Sequence, residues 1–414
     1  MNKYKLGDIS EIQSGPFGTQ LHKDEYVPEG IPMLNSKNIG NGIVVEDSLD
    51  FVPEDVCKRL PRYILKKGDI LFGRAGTIER HTYVDSKYDG CFQGTNCIRI
   101  RCEDKQKSRY ISYYLWLNKL KVKIENAAGG SIQSYITTDL LKDIEVEIPD
   151  DYEKRANFLF LIDEKIHNNN QINDNLEQQL MLLYDYWFTQ FDFPDNNGNP
   201  YQTSGGKMVW NDTLKRNIPE NWKVQSVNSN CLSSIIKPGV EIFNTKTYLA
   251  TADVKGTSIS TGTIVDYDGR ESRANIQPSI NSVWFAKMKN SIKHLYLNKE
   301  MQPIISSSIL STGFCGLQCN EISFEYIASY VSNAYFEIHK DMLAHGATQE
   351  AVNNDDLAGV HIIIPEDTVL CAYHETTQAI YAQISKNVCE NQELVKLRDW
   401  LLPMLMNGQA TIND

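Results

Sequence analysis

Gly130-Ser131-Ile132-Gln133-Ser134-Tyr135-Ile136-Thr137-Thr138-Asp139-Leu140-Leu141-Lys142-Asp143-Ile144-Glu145-Val146-Glu147-Ile148-Pro149 has a partner later in the chain. Gly346-Ala347-Thr348-Gln349-Glu350-Ala351-Val352-Asn353-Asn354-Asp355-Asp356-Leu357-Ala358-Gly359-Val360-His361-Ile362-Ile363-Ile364-Pro365 aligns with it 216 residues on, without a gap. Gly, Gln, a β-branched residue, Leu, a second β-branched residue and Pro coincide. Self-similarity at this separation marks a duplicated structural unit. Each copy reads as a loop, a short helix and a strand (144–148 and 360–364), closed by Pro.

The repeat runs on past the Pro. Leu159, Ile162, Ile166, Asn169, Asn173, Leu176, Leu180, Leu183 and Trp187 alternate steps of three and four, the seam of a heptad helix. Ile380, Ile384, Asn387, Asn391, Leu394, Arg398 and Leu401 keep the same rhythm 218 residues later, so Asn169 matches Asn387 and Asn173 matches Asn391. Asparagine in a seam weakens a helix pair but fixes its register. One amphipathic helix packed on its own domain would show the same spacing; the matched asparagines favour an antiparallel coiled coil. Tyr4-Lys5-Leu6-Gly7-Asp8-Ile9 lies 218 residues before Trp222-Lys223-Val224-Gln225-Ser226-Val227. The stretch from Asp192 to Gly206, rich in Pro, Gly and Asn, reads as a linker. The expected class is α/β (α+β): globular units over 1–150 and 221–366, helices over 151–192 and 367–414, and a linker over 193–220.

Composition bounds what such a chain does. Its 414 residues carry 41 Lys+Arg against 53 Asp+Glu, a formal net charge of −12, with 41% hydrophobic and 23% charged residues. That excludes collagen-like, low-complexity and disordered proteins. It argues against coating nucleic acid by bulk charge, not against local basic patches. Met1-Asn2-Lys3-Tyr4-Lys5-Leu6-Gly7-Asp8 lacks the apolar core of a signal peptide. The most apolar run, Phe158-Leu159-Phe160-Leu161-Ile162, meets Asp163, Glu164 and Lys165 at once, far short of the roughly 20 residues of a membrane span. The nine Cys are scattered without a CxxC pair, and Cys315 and Cys319 lack a nearby His, which points to reduced thiols, no zinc and a cytoplasmic location.

Two loops attract attention. Gly73-Arg74-Ala75-Gly76-Thr77-Ile78 follows the strand-like Ile70-Leu71-Phe72, and a Gly-rich loop after a strand can cradle phosphate. It has neither the Walker Gly-Lys-Ser/Thr ending nor GxGxxG. Arg74, Thr77 and Arg80 equally suit DNA phosphates or a guanine edge. In the second unit, Lys287, Lys289, Lys293, Lys299 and His294 fall between Trp284 and Lys299 with no acidic residue among them. Basic residues interleaved with Trp, Phe, Met and Tyr fit a nucleic-acid surface, and an edge strand guarded by lysines has the same composition. Alternation in 91–101 places Arg99 and Arg101 on a solvated strand face. The carboxylates Asp143, Glu145, Glu147, Asp150 and Asp151 read as a solvated face and a favourable helix start. No HExxH, GxSxG or Asn-Pro-Pro-aromatic tetrad is present, so no catalytic centre is expected.

Taken together these features resemble the specificity (S) subunit of Type I restriction–modification systems over nearly the whole chain. Gly15-Pro16-Phe17-Gly18 with Gly30-Ile31-Pro32 looks like the opening of a target-recognition domain; Gly68-Asp69-Ile70-Leu71-Phe72 with Arg74 and Gly76-Thr77-Ile78 looks like its middle. Tyr186-Trp187-Phe188 resembles the exit of the family's central helix. Trp284-Phe285-Ala286-Lys287-Met288-Lys289-Asn290 with Ser311-Thr312-Gly313-Phe314 is similar to a recurrent second-domain type. Leu397-Arg398-Asp399-Trp400-Leu401-Leu402-Pro403 looks like the last helix. Glu79 departs from the pattern, where a second Gly is common, and this bears on the role of Arg80. The resemblance implies two target-recognition domains, each reading half of a bipartite, asymmetric site on double-stranded DNA. It implies helices that space the readers and dock two methyltransferase (M) subunits, with restriction (R) subunits joining that core. S-adenosylmethionine would belong to M, and ATP with magnesium to R, leaving this chain non-catalytic, without cofactor and without a membrane partner. The expected DNA-facing residues are Lys37, Arg74, Thr77, Arg80, Gln133, Lys287, Lys289, Lys293, His294, Thr312 and Gln349; Gln133 and Gln349 could instead cap structure. Trp187 and Trp400 are the expected partner contacts, or equally buried core. A coiled-coil adaptor without DNA contact and a nucleotide-binding enzyme using 73–77 remain the rival classes.

Overall fold

The computed structural model describes residues 2–40, 42–46, 48–74, 80–117, 120–122 and 135–412. It divides into two units, Met1–Asp163 with Leu397–Asp414, and Glu164–Lys396.

In the first unit a four-stranded antiparallel sheet runs in the order Glu11–Ser14, Cys97–Arg101, Ile70–Gly73, His81–Tyr83. A three-stranded sheet joins Asp50–Val52, Ile31–Leu34 and Phe92–Gln93, the last pair parallel. The helix Lys105–Leu115 starts where the Asp104 carboxylate accepts from the Gln106 and Lys107 N–H groups, a normal N-cap. Its Tyr110 and Ile111 close the core over Ile70, Phe72, Ile98 and Ile100, together with Leu159, Leu405 and Met406. Asn2–Lys5 pairs with Glu145–Ile148, the strand expected from the repeat.

The second unit repeats this plan. Its four-stranded sheet runs Ser233–Ile235, Phe314–Cys319, Ser282–Ala286, His294–Leu297, again first strand, last strand, then hairpin. A mixed sheet holds Thr263–Val265, Lys246–Leu249, Ser308–Ser311 and Ala274–Ile276. Lys223–Ser226 pairs with His361–Ile364. This register sets Lys223 opposite Ile364 where the first unit sets Asn2 opposite Ile148. The true offset at the start is therefore 221 (223 against 2), three residues from the expected 218.

Two long helices, Tyr152–Tyr184 and Asp367–Met406, pass through both units. Within the first unit Arg398 meets Asp163 at 2.9 Å and a buried Arg155 donates to the Leu405 carbonyl. Within the second, Asn169 donates to Asn391 at 2.9 Å and Asn387 donates to Asn173 at 2.8 Å. The helices are antiparallel, and each asparagine bonds the counterpart of its neighbour, not its own counterpart.

The stretch expected to be a linker is folded. Asp192 accepts from the Thr203 N–H and hydroxyl, Met208–Asn211 pairs with Arg216–Pro219, and Phe193 stacks on Trp222 at 4.9 Å between centroids. Its Pro, Gly and Asn residues serve tight turns, not an open connector. All nine Cys are free, six of them buried and Cys231 exposed. No helix among the described residues is long and apolar enough to cross a membrane.

Candidate nucleic-acid interface

In the first unit the sheet delivers Arg74 to the end of Ile70–Gly73. The Arg74 N–H donates to the Asn96 carbonyl at 2.8 Å and its carbonyl accepts from Ile136 at 3.0 Å, so its backbone is pinned on both sides. Gly15 lies so close to the next loop that an added Cβ would stand 2.0 Å from the Gly94 oxygen, and only glycine allows that approach. The result is a cleft of about 640 Å³, with Phe17, Lys37, Asn96 and Arg74 on its walls. Phe17 is 58% exposed there. Among the described residues the Arg74 guanidinium makes no ion pair. Its neighbours are committed: Lys37 pairs with Asp50 at 3.0 Å, and Asn35 donates to the same carboxylate oxygen at 2.8 Å. Lys37 therefore lines the cleft with its charge already answered. A rigid backbone carrying an unspent guanidinium is the arrangement that reads a guanine edge or grips phosphate.

Arg80 is half-buried. Thr77 and Gln133 lie outside the described residues, as do residues 75–79 of the loop weighed for a nucleotide. Arg99 and Arg101 correct an expectation: neither lies on a solvated face. Arg99 is 1% exposed, meets Glu11 at 2.8 Å and donates to the Arg62 carbonyl at 2.8 Å. Burial and the Arg101 charge lower its pKa, with Asp69 and Glu11 opposing. Arg101 grips a buried Asp69 with two donors at 2.7 and 2.6 Å. Both sides of this strand are interior, so alternation does not report solvent.

The second unit presents the equivalent loop. Phe72 pairs with His81 across the first unit's hairpin, and Phe285 pairs with His294 across the second's, each pair enclosing eight residues. Arg74 and Lys287 thus hold one topological position, and Arg80 and Lys293 another, at an offset of 213. Lys287 is half-buried, with its backbone bonded to Gly313 and Val352 and its ammonium in no ion pair among the described residues. Lys289 pairs with Glu350 at 2.8 Å, and the Lys293 ammonium donates to the Thr251 carbonyl. These two reach the surface already partnered. Thr312 is half-buried with its N–H on the Arg273 carbonyl, and Gln349 is exposed on its loop.

Two expectations fail on burial. His294 is 5% exposed and bonds Glu337 at 2.8 Å, so it cannot face DNA. Trp187, 6% exposed, packs edge-on against Tyr373 and beside Phe188 in the second unit's core. Its burial matches the core reading weighed for it beside the partner contact. Trp400 is 59% exposed and stays available. Arg273, exposed with no ion pair among the described residues, escaped the sequence reading. Its guanidinium lies beside Gly313. The Arg270-Glu271-Ser272-Arg273 run was its signal, hidden by the adjoining acid. Among the described residues no three His, Cys, Asp or Glu side chains converge as a metal site needs.

Residues 1–178 match the family described as Type I restriction modification DNA specificity domain. The chain is 23% identical to the Type I restriction enzyme MjaIX specificity subunit of Methanocaldococcus jannaschii, covering 99% of this chain and 93% of that protein. It is 21% identical to the HindI specificity subunit of Haemophilus influenzae, covering 98% and 99%. Among solved structures, the S subunit of a Type I system from M. genitalium shares its fold, with a TM-score of 0.51 and 14% identity over 98% of this chain and 95% of that one.

Proposed function

We infer, from a specificity domain over residues 1–178 and a likeness to Type I specificity subunits along the full length, that this chain is the DNA sequence-recognition subunit of a Type I restriction–modification complex. Each unit reads one half of a bipartite site on double-stranded DNA. The two long helices act as a coiled-coil spacer between duplicated readers and dock two M subunits. R subunits join that core, and the complex works in the cytoplasm. The chain itself is non-catalytic: S-adenosylmethionine, ATP and magnesium are left to M and R. Exposed Phe158, Leu161, Leu397 and Trp400 on the long helices support the docking role.

The observation that carries the reading is the matched pair of cations. Arg74 and Lys287 stand just past corresponding strands of the two units' four-stranded sheets, each without an ion pair among the described residues. A chain of net −12 has carboxylates in plenty to neutralise them; leaving both unspent at corresponding positions suits a ligand that is anionic and has two halves. The test is co-expression with M, followed by sequencing of methylated sites. Arg74→Ala should relax one half-site by about 1–3 kcal/mol of discrimination, and Lys287→Ala should act on the other half only. A purified complex that retains no duplex would instead support a coiled-coil adaptor.

A further inference from the structure

The turn carrying Lys287, Lys289 and Lys293, bonded through its backbone to Glu350, Val352 and Gly256, also meets the helix Ala334–Leu343. Lys340, 0% exposed, donates to the Ala286 carbonyl at 3.3 Å, at the end of the outgoing strand. The same ammonium meets Glu337 Oε2 at 2.5 Å, and Glu337 Oε1 meets His294 Nε2 at 2.8 Å, at the start of the return strand. Asp341 accepts from the Asn290 N–H at 3.1 Å in the middle of the turn, where Asn290 holds a left-handed φ of 57°. Three residues of one helix therefore fix the beginning, middle and end of a basic turn.

Stability alone does not account for this. Burying Lys and Glu costs desolvation that apolar residues of equal volume avoid. Burial by itself would raise the Glu337 carboxyl, and His294 with Lys340 outweighs that and holds it below its ordinary value. Among the described residues the corresponding histidine of the first unit has no carboxylate partner: His81 bonds the Ser112 carbonyl at 2.9 Å and stacks between Phe72 and Trp116. The sheet design does not demand a charged network, so its presence in the second unit serves that unit's own turn. Lys289 is clamped by Glu350, which leaves the half-buried Lys287 as the lysine of the turn without an ion pair among the described residues.

We propose that Glu337, Lys340 and Asp341 are positioning residues that set the base preference of the second unit by fixing the 287–293 turn. The proposal rests on the assignment of that turn to DNA. Two variants test it in the complex with M: Asp341→Ala, which leaves a good helix former on a partly exposed position, and the charge-neutral pair Glu337→Gln with Lys340→Met. Sequencing of methylated sites should show the half-site altered by Lys287→Ala becoming degenerate, with discrimination at one or more positions falling about tenfold or more. The other half-site and the melting temperature of the Asp341→Ala complex should stay as in the parent. An unchanged motif in either folded variant overturns the proposal, as does equal loss at both half-sites or weaker methylation of an unaltered motif. Should the paired variant not fold, Asp341→Ala alone decides. If Lys287→Ala leaves the parent motif intact, the assignment of the turn to DNA has failed and the positioning role falls with it.

Discussion

Two histidines at matching positions show how much a side chain's chemistry depends on what is packed against it. Both open the return strand of a hairpin, and neither touches solvent appreciably. His294 answers a carboxylate, whereas His81 is sealed between two aromatic rings, and burial pushes its imidazole down to about 3. A histidine in the unfolded chain titrates near 6.5, so folding excludes a proton there. The stability that follows is fully present above pH 6.5 and is lost as pH falls toward 3, at roughly 1.4 kcal/mol per pH unit. Urea unfolding at pH 7 and pH 5 should show the consequence: in His81→Gln the difference in stability between the two pH values should shrink by about 2 kcal/mol. An unchanged difference would mean the ring titrates normally. Residue-scale reading from sequence singled out His294 but not its surroundings, and passed over His81. The local excess of Lys around His294 suggested surface, because Glu337 and Lys340 lie more than forty residues away in sequence. Arg101 misled in the same way, its partner Asp69 lying 32 residues away, just before another strand.

At the scale of elements, the helix seam was the most legible feature. Heptad spacing singles out the asparagines, and the Asn169–Asn391 and Asn387–Asn173 bonds show which residues of the two helices meet. Asn173 and Asn387 are each 4% exposed and hydrogen-bond each other. Replacing Asn173 alone with Leu should leave the Asn387 amide buried without its partner and cost about 1–3 kcal/mol. Replacing both should recover most of that loss, so thermal melts of the two single variants and the double should be strongly non-additive. Additive losses would show that the amides do not act on one another. The equivalence of the hairpin loops was illegible by contrast. Arg74 with Lys287 and His81 with His294 match at an offset of 213, while the repeat announced itself at 216 and 218. Intervening segments of unequal length hide a correspondence that strand pairing makes plain.

For the whole molecule, the acidic balance turns out to say little about the ligand. The two cations proposed to meet DNA stand at strand ends, while many others are spent on carboxylates such as Asp50, Asp69 and Glu350. The structure divides into Met1–Asp163 with Leu397–Asp414, and Glu164–Lys396, a grouping that runs along neither of the expected domain bounds. Residues 397–414 belong with the first unit, where Leu405 and Met406 share a core with Leu6 and Tyr110. Heptad spacing shows that the last helix has a partner, not which core its final turns complete. Deleting 397–414 should therefore destabilise the first unit, which hydrogen exchange would register as lost protection around Ile98 and Tyr110 while Trp284 and Phe285 stay protected. Equal loss in both units would contradict the division. The same feature governs the order of events on the ribosome. A chain emerging from its first residue ordinarily completes its leading domain first. Here the leading unit must wait, its core open, until the other has been synthesised in full. The segment made second is the first able to finish folding, and the earliest-made segment is the one in longest need of a chaperone.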